Sequence, residues 1–202
     1  MRRIRTNNIN TEEYWNSFAT SEYTEKDAQR GGNLCKFNTL LDILPENSSI
    51  LDIGCLNGNF YNFLKEKKFN ILSFTGIDFS TDLINLANER FPEQTWIVAD
   101  RLKLPFEDNK FDVITLLEVL EHVEDPRASL REACRLCKNG GIIIISVPNE
   151  LKIEDPAHIW SFTTEDVFNL LSEFSTNVQV LQTCSNNRNI IGKAIINFRG
   201  YF

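Results

Sequence analysis

The chain has 202 residues, 42% of them hydrophobic and 24% charged, with a formal net charge of −7; this is enough chain for one domain with a substantial core. The acidic balance speaks against long nucleic acid as the main substrate, because phosphate neutralisation needs clustered Lys and Arg. No apolar run reaches the ~18 residues of a membrane span, and Met1-Arg-Arg-Ile-Arg5 runs into polar residues rather than an apolar signal core, so a cytoplasmic protein with no membrane partner is expected.

Residues 11–19 open the periodic part of the chain, a short helix with Tyr14, Trp15 and Phe18 on one stripe. Gly31-Gly32 is expected to break the chain, after which Leu34, Phe37, Leu40, Leu41 and Leu44 keep helical spacing up to Pro45. Ile50, Leu51 and Ile53 form an apolar run too short for a helix and bounded by turn residues, hence a strand buried on both faces. It breaks into Gly54-Cys55-Leu56-Asn57-Gly58, and a helix starts near Asn59. Glycine at such a turn supplies positive φ and lets a ligand approach the backbone. In open α/β sheets this corner binds ligands at the carboxyl end of the strand. The spacing Gly54-x-x-x-Gly58 is neither a dinucleotide fingerprint nor a P-loop, and Asp52 would repel a pyrophosphate. An acidic corner suits a cationic ligand; S-adenosylmethionine, with its ammonium and sulfonium, fits where NAD fits poorly.

A second buried strand over 71–77 ends in Asp78-Phe79-Ser80, and Ser80 caps a helix over 81–90. Asp78 stands 20 residues after Gly58, where a carboxylate takes the two hydroxyls of a ribose in nucleotide-binding sheets. A third strand over 95–99 ends in Asp100-Arg101, whose carboxylate and following N–H suit an adenine edge. A fourth strand over 111–117 precedes a helix over 126–138 with Asp125 at its N-cap and Pro126 at N1. A fifth strand over 142–147, a helix capped at Thr163 and a last antiparallel pair complete an α/β chain. Five cysteines, an odd number, form no disulfide framework. Cys134-Arg-Leu-Cys137 lacks the second pair of a zinc site and reads as buried thiols late in a helix.

Several of these segments together resemble the class I S-adenosylmethionine-dependent methyltransferases. Leu51-Asp-Ile-Gly-Cys-Leu-Asn-Gly58 resembles the first motif, D-x-G-x-G-x-G, with Leu56 in place of the middle glycine. Ala99-Asp-Arg-Leu-Lys-Leu-Pro-Phe106 is similar to D-x-x-x-L-P-F, and Ser146-Val-Pro-Asn149 after Asn139-Gly-Gly141 is similar to a later segment. The run from Phe111 through Glu118-Val-Leu-Glu-His-Val-Glu-Asp-Pro126 matches the pattern ending E-V-L-E-H-V-x-D-P nearly letter for letter.

The resemblance covers about residues 34–198. It implies a Rossmann-like doubly wound fold, a mostly parallel seven-stranded sheet with an antiparallel last strand, in a domain over 34–202 preceded by a helical lid segment over 1–33. It implies S-adenosylmethionine as the donor, with Asp52 toward the ammonium, Asp78 on the ribose, and Asp100 with Arg101 at the adenine. Gly54, Cys55, Leu56 and Gly58 would form the turn under the methionine moiety, with Phe79 beside Asp78 and Glu118 on the far side. The chain lacks the Asn/Asp-Pro-Pro-Tyr/Phe and Pro-Cys motifs of DNA base methylation. A small-molecule acceptor, at oxygen or nitrogen ahead of carbon, is therefore expected, with no nucleic-acid partner and a monomer or homodimer.

His122 and His158, the only two histidines, are both expected at the same edge, His122 as the first general-base candidate and His158 as the second. Three alternatives stay open: a dinucleotide oxidoreductase, a cofactor binder without catalysis, and a metal-assisted O-methyltransferase of the quinone or RNA 2′-O type. No metal ligand is assigned, although Glu118, Glu121 and His122 at i, i+3 and i+4, with His158, have mixed oxygen and nitrogen donors.

Overall fold

A computed structural model describes residues 1–19, 31–100, 102–149, 155–183 and 189–196. Within them the strands are β1 (Arg2–Arg3), β2 (Ser48–Ile53), β3 (Ile71–Asp78), β4 (Thr95–Val98), β5 (Phe111–Leu117), β6 (Cys137–Pro148), β7 (Trp160–Ser161), β8 (Asn177–Thr183) and β9 (Asn189–Ile195). The helices are α1 (Glu12–Asn16), α2 (Gly31–Leu41), α3 (Asn59–Glu66), α4 (Thr81–Arg90), α5 (Pro126–Leu136) and α6 (Thr164–Ser172). No helix among the described residues is long and apolar enough to cross a membrane.

Seven strands form one sheet in the order β4-β3-β2-β5-β6-β9-β8. β9 pairs antiparallel with both β6 and β8, while β2 to β6 pair parallel. β2, β3 and β4 step outward in one direction, and the chain then returns to the opposite flank of β2 as β5. That reversal opens a crevice above the carboxyl ends of β2 and β5, where ligands enter doubly wound sheets.

The two-residue period of a strand divides the core into two layers. Ile50, Phe74, Val113, Ile144 and Ile191 pack with Phe37 and Leu40 of α2 and Phe60 and Leu64 of α3. Leu51, Ile77, Ile114, Leu116 and Ile145 face the other way, onto Leu130 and Ala133 of α5 and Val167 and Leu170 of α6. Asp52 shares the parity of Ile50, so its side chain rises on the α2 side of the sheet.

Local signals set most boundaries. Ser80 accepts from the Leu83 N–H, Asp125 accepts from the Arg127 and Ala128 N–H groups, and Thr163 with Asp166 completes a capping box. Two expectations fail. Gly31-Gly32 does not break the chain but opens α2. Cys137 is not helical: α5 stops at Leu136 and β6 begins at Cys137, paired with Phe111, because the β5–β6 ladder extends past an irregularity before Val113.

Cys55, Cys134 and Cys137 are free thiols, and burial pushes the Cys134 and Cys137 thiols up to about 12, which makes them inert. Cys35 takes part in a disulfide whose other half lies outside the described residues, so the expectation of unpaired cysteines fails there. α2 packs against β8 and β9, a tertiary contact that cysteine spacing does not reveal.

Candidate functional site

β2 ends in a sharp turn. Gly54 has φ 78°, and a Cβ there would lie 2.5 Å from Val119 Cγ2. Gly58 has φ 81° and serves as N-cap of α3, and a Cβ on it would come within 2.8 Å of the Trp96 ring. Leu56 between them has φ 51°. The left-handed conformation is thus kept by a leucine, which costs roughly 1–2 kcal/mol relative to a right-handed one. Two backbone bonds hold the turn to β3, from the Gly54 and Cys55 N–H groups to the Ile77 carbonyl at 2.7 and 3.0 Å. A third runs from the Leu56 N–H to Asp78 Oδ2 at 3.0 Å.

Gly58→Ala is expected to cost about 2–3 kcal/mol, from the left-handed backbone and the overpacked Trp96 contact together. Urea unfolding measures it, and an unchanged midpoint would show that the turn relaxes freely.

A cavity of about 640 Å³ opens above this turn, within the range that small-molecule ligands occupy. Of the residues singled out in the sequence, Asp52, Gly54, Cys55, Leu56, Asp78, Phe79, Glu118, His122 and His158 line it. Gly58 does not; it lies beneath the turn against Trp96 and Phe91. Asp100 is exposed, accepts from the Leu102 N–H at 3.2 Å and is not in the cavity wall, which Ala99 reaches instead. Arg101 lies outside the described residues. Two of the three strand-end carboxylates therefore share one cavity.

Asp52 is 3% exposed and accepts from the Thr115 hydroxyl at 2.6 Å, its cross-strand neighbour on β5. Burial raises its pKa to about 7, against the Thr115 hydrogen bond; Asp78 adds to the rise and Lys36 opposes it. Asp78, on β3, accepts from the Ser80 N–H at 3.0 Å through its other oxygen.

Lys36 is a site residue that the reading of sequence alone passed over. It is 3% exposed on α2, lines the cavity, and holds Nζ 3.7 Å from Glu118 Oε1. The signal was present: position 36 falls on the stripe of Leu40 and Leu44, a lone cation on an apolar face. Asn189 of β9 was missed as well; its amide donates to Glu118 Oε1 at 3.0 Å, and Ser146 donates to the same oxygen at 2.7 Å.

The opposite wall holds the histidines. The His122 N–H donates to the Val119 carbonyl at 3.0 Å, which closes a single turn rather than a helix. Burial lowers the His122 pKa to about 4, with His158 second among the causes. Their rings meet edge to face at 4.8 Å, and the Trp15 ring stands 5.1 Å from that of His122.

The N-terminal segment is pinned beside them. β1 pairs with β7, and the Asn10 amide donates to the Ala157 carbonyl at 2.8 Å. At α4, Thr81 donates to Glu12 at 2.6 Å and Ser80 donates to Asn16. α1 is thereby docked on the first turn of α4, with Tyr14, Trp15 and Phe18 in the cavity wall.

Comparison with known proteins agrees with this geometry. The family described as a methyltransferase domain matches residues 51–145, from β2 into β6. A ubiquinone/menaquinone biosynthesis C-methyltransferase of Campylobacter jejuni is 30% identical over 106 residues, 50% of this chain and 45% of that protein. A malonyl-[acyl-carrier protein] O-methyltransferase of Hamiltonella defensa is 26% identical over 138 residues, 68% of this chain and 52% of that protein. This chain thus spans about half the length of these curated relatives. Among solved structures, the N-methyltransferase NodS of Bradyrhizobium japonicum, in complex with S-adenosylhomocysteine, superposes with a TM-score of 0.76. It is 20% identical, with 93% of this chain and 98% of that one covered. The segment from β2 into β6 thus matches a methyltransferase domain, and the glycine turn at the head of β2 and the seven-strand order give the chain the Rossmann-like fold of that N-methyltransferase structure.

Proposed function

We propose that this protein transfers the methyl group of S-adenosylmethionine to an oxygen or nitrogen of a small molecule. One observation carries the reading: two buried carboxylates, Asp52 and Asp78, end adjacent parallel strands on either side of a glycine turn and border one cavity. A cation is the ligand that such a pair attracts. In this reading Asp52 takes the methionine ammonium, Lys36 the methionine carboxylate, and Asp78 the ribose hydroxyls, with Phe79 and Ala99 toward the adenine.

The reaction is a displacement at carbon: the acceptor's lone pair forms the new bond, the carbon–sulfur bond breaks, and neutral S-adenosylhomocysteine leaves. The proton of the acceptor, where it has one, passes to solvent or a nearby base. Positive charge spreads in the transition state instead of appearing there, so alignment is the enzyme's main contribution. His122 and His158 act at the acceptor end, and α1 with Trp15 covers it as a lid. Burial leaves His122 unprotonated at neutral pH but weakly basic, so proton capture by it alone is a poor use of its position. The named relatives are a C-, an O- and an N-methyltransferase.

Calorimetric titration tests the donor. S-adenosylhomocysteine is expected to bind and NAD to give no heat; the reverse would overturn the reading. Lys36→Met, which keeps the bulk and removes the charge, is expected to weaken S-adenosylhomocysteine about 10- to 100-fold, the value of a charge-assisted hydrogen bond. Adenosine, which lacks the amino-acid end, should bind the variant as it binds wild type. Incubation with ¹³C-methyl donor and candidate phenols and amines, read by NMR, identifies the methylated atom.

A further inference from the structure

At the far end of the cavity from Lys36, hydrogen-bond acceptors outnumber donors. Asn10, His122 and Asp155 come from three separate segments, line the same space and meet at one residue, Ala157. The Ala157 carbonyl accepts from Asn10 Nδ2 at 2.8 Å and from His122 Nδ1 at 3.2 Å, and its N–H donates to Asp155 Oδ1 at 2.8 Å. A carbonyl only accepts, so His122 carries its hydrogen on Nδ1 and Nε2 presents a lone pair. The second amide hydrogen of Asn10 goes to Asn8 Oδ1 at 2.7 Å. With both hydrogens engaged the amide cannot turn over, and its Oδ1 is buried with no hydrogen-bond partner among the described residues.

An oxygen left unmatched in this way costs about 1–3 kcal/mol. These three residues therefore bring an amide oxygen, an imidazole lone pair and the second oxygen of Asp155, whose side chain is half-exposed with Oδ2 3.9 Å from His158 Nε2. All three atoms accept hydrogen bonds. A ligand that matches them must donate.

The charge is equally one-sided. Among the described residues of the cavity wall the carboxylates are Asp52, Asp78, Glu118, Glu121 and Asp155, whereas lysine and arginine contribute Lys36 alone, 3.7 Å from Glu118. His122 adds no charge, because burial lowers its pKa to about 4. S-adenosylmethionine carries one net positive charge, since its ammonium and carboxylate cancel. A cleft of one sign with low-dielectric walls concentrates ligands of the opposite sign. Tyr14, Trp15 and Phe18 form the lid side of the same space, and aromatic rings attract cations and not anions.

We propose that the methyl acceptor is a primary or secondary amine that enters as its ammonium, with N–H groups directed to Asp155 and Asn10 and its body against the Trp15 ring. This narrows the methyl-transfer reading to nitrogen and rests on it. A phenol or alcohol brings one hydrogen and no charge; a carboxylate brings the wrong charge.

An ammonium has no lone pair, so one proton leaves first, to water at the half-exposed Asp155. The freed pair then forms the nitrogen–carbon bond as the carbon–sulfur bond breaks, its electrons staying on sulfur. The remaining hydrogens stay on the methylated nitrogen, which leaves as an ammonium. Each turnover thus releases one proton to solvent.

The test is a ligand-observed NMR titration at neutral pH of full-length protein saturated with S-adenosylhomocysteine. The probes are ethylamine, 2-phenylethylamine and tryptamine, each with the alcohol and the carboxylate matched to it in shape. At least one amine is expected to bind about tenfold or more tighter than its alcohol, and the carboxylates not at all. Asp155→Asn keeps the acceptor for the Ala157 N–H and removes the charge. It should weaken that amine about tenfold or more, leave the alcohol where it was, and bind S-adenosylhomocysteine as wild type does. Failure of every amine to bind, an alcohol or carboxylate that binds as tightly as its amine, or amine binding unchanged in Asp155→Asn each overturns the proposal. Amine binding that depends on Asp155 in a protein that ignores S-adenosylhomocysteine would instead overturn the donor reading and leave an ammonium site in the same cavity.

Discussion

Asp52→Asn is expected to make the ligand-free protein more stable and, in the same variant, to cripple donor binding. An ordinary carboxyl titrates near 3.8, and burial raises this one to about 7. Above pH 7 the folded state must keep an ionised group where it favours a neutral one, so the raised pKa lowers stability there. The penalty is absent below about pH 4, grows as pH rises from 4 to 7, and is constant above. At 1.36 kcal/mol per unit, a shift of about three units amounts to about 4 kcal/mol.

Asparagine keeps the acceptor for the Thr115 hydroxyl and removes the charge. Its melting temperature at pH 8 should therefore exceed wild type by roughly 10 °C, with the difference closing toward pH 4. The lost ammonium partner should weaken S-adenosylhomocysteine by about 10- to 100-fold at pH 8. In wild type the same affinity should fall as pH drops below 7 and Asp52 gains its proton. A variant that melts lower than wild type at pH 8, or binds the product equally well, would make Asp52 a structural residue instead.

Phe74→Ala should be the most damaging change away from the cavity. Phe74 is 1% exposed in the middle of β3, with the Tyr61, Trp96 and Phe60 rings 5.2, 5.7 and 6.4 Å from its own. Truncating a phenylalanine in such a cluster costs about 3–5 kcal/mol, the transfer term plus the cavity left behind, against a total of about 5–15 kcal/mol for a typical domain. The relaxed variant is expected to unfold at much lower urea with an unchanged slope. Leu72→Ala, on the same strand but 71% exposed, supplies the control and should stay within about 0.5 kcal/mol of wild type. Equal effects at the two positions would mean that the aromatic cluster is not a packed unit.

Much of the architecture was legible because its causes are local. Ser80, Asp125 and Thr163 cap helices through side chains that reach only two or three residues along the chain. Strand faces follow from alternation: Ile50 and Leu51 had to point to opposite sides, whatever covered them. The glycine turn and Asp52 mark the head of β2 for the same reason, and Asp78 ends the next strand. Local logic also misled where a long-range ladder competed with it: Cys137 left the helix for β6 because β5 offered it a partner.

What the tertiary structure alone decided is which groups meet. Lys36 comes to the cavity because α2 lays its stripe across β2, a packing choice invisible from spacing. Asp100, which shares its strand-end position with Asp52 and Asp78, stays outside because the chain leaves β4 at Val98 and turns back through the Leu102 N–H. Glu118 and Glu121, three residues apart, separate toward different partners because one tight turn stands where a helix would have aligned them. Turns, caps and alternation are properties of a few consecutive residues; the company a buried charge keeps depends on which distant segments share its space.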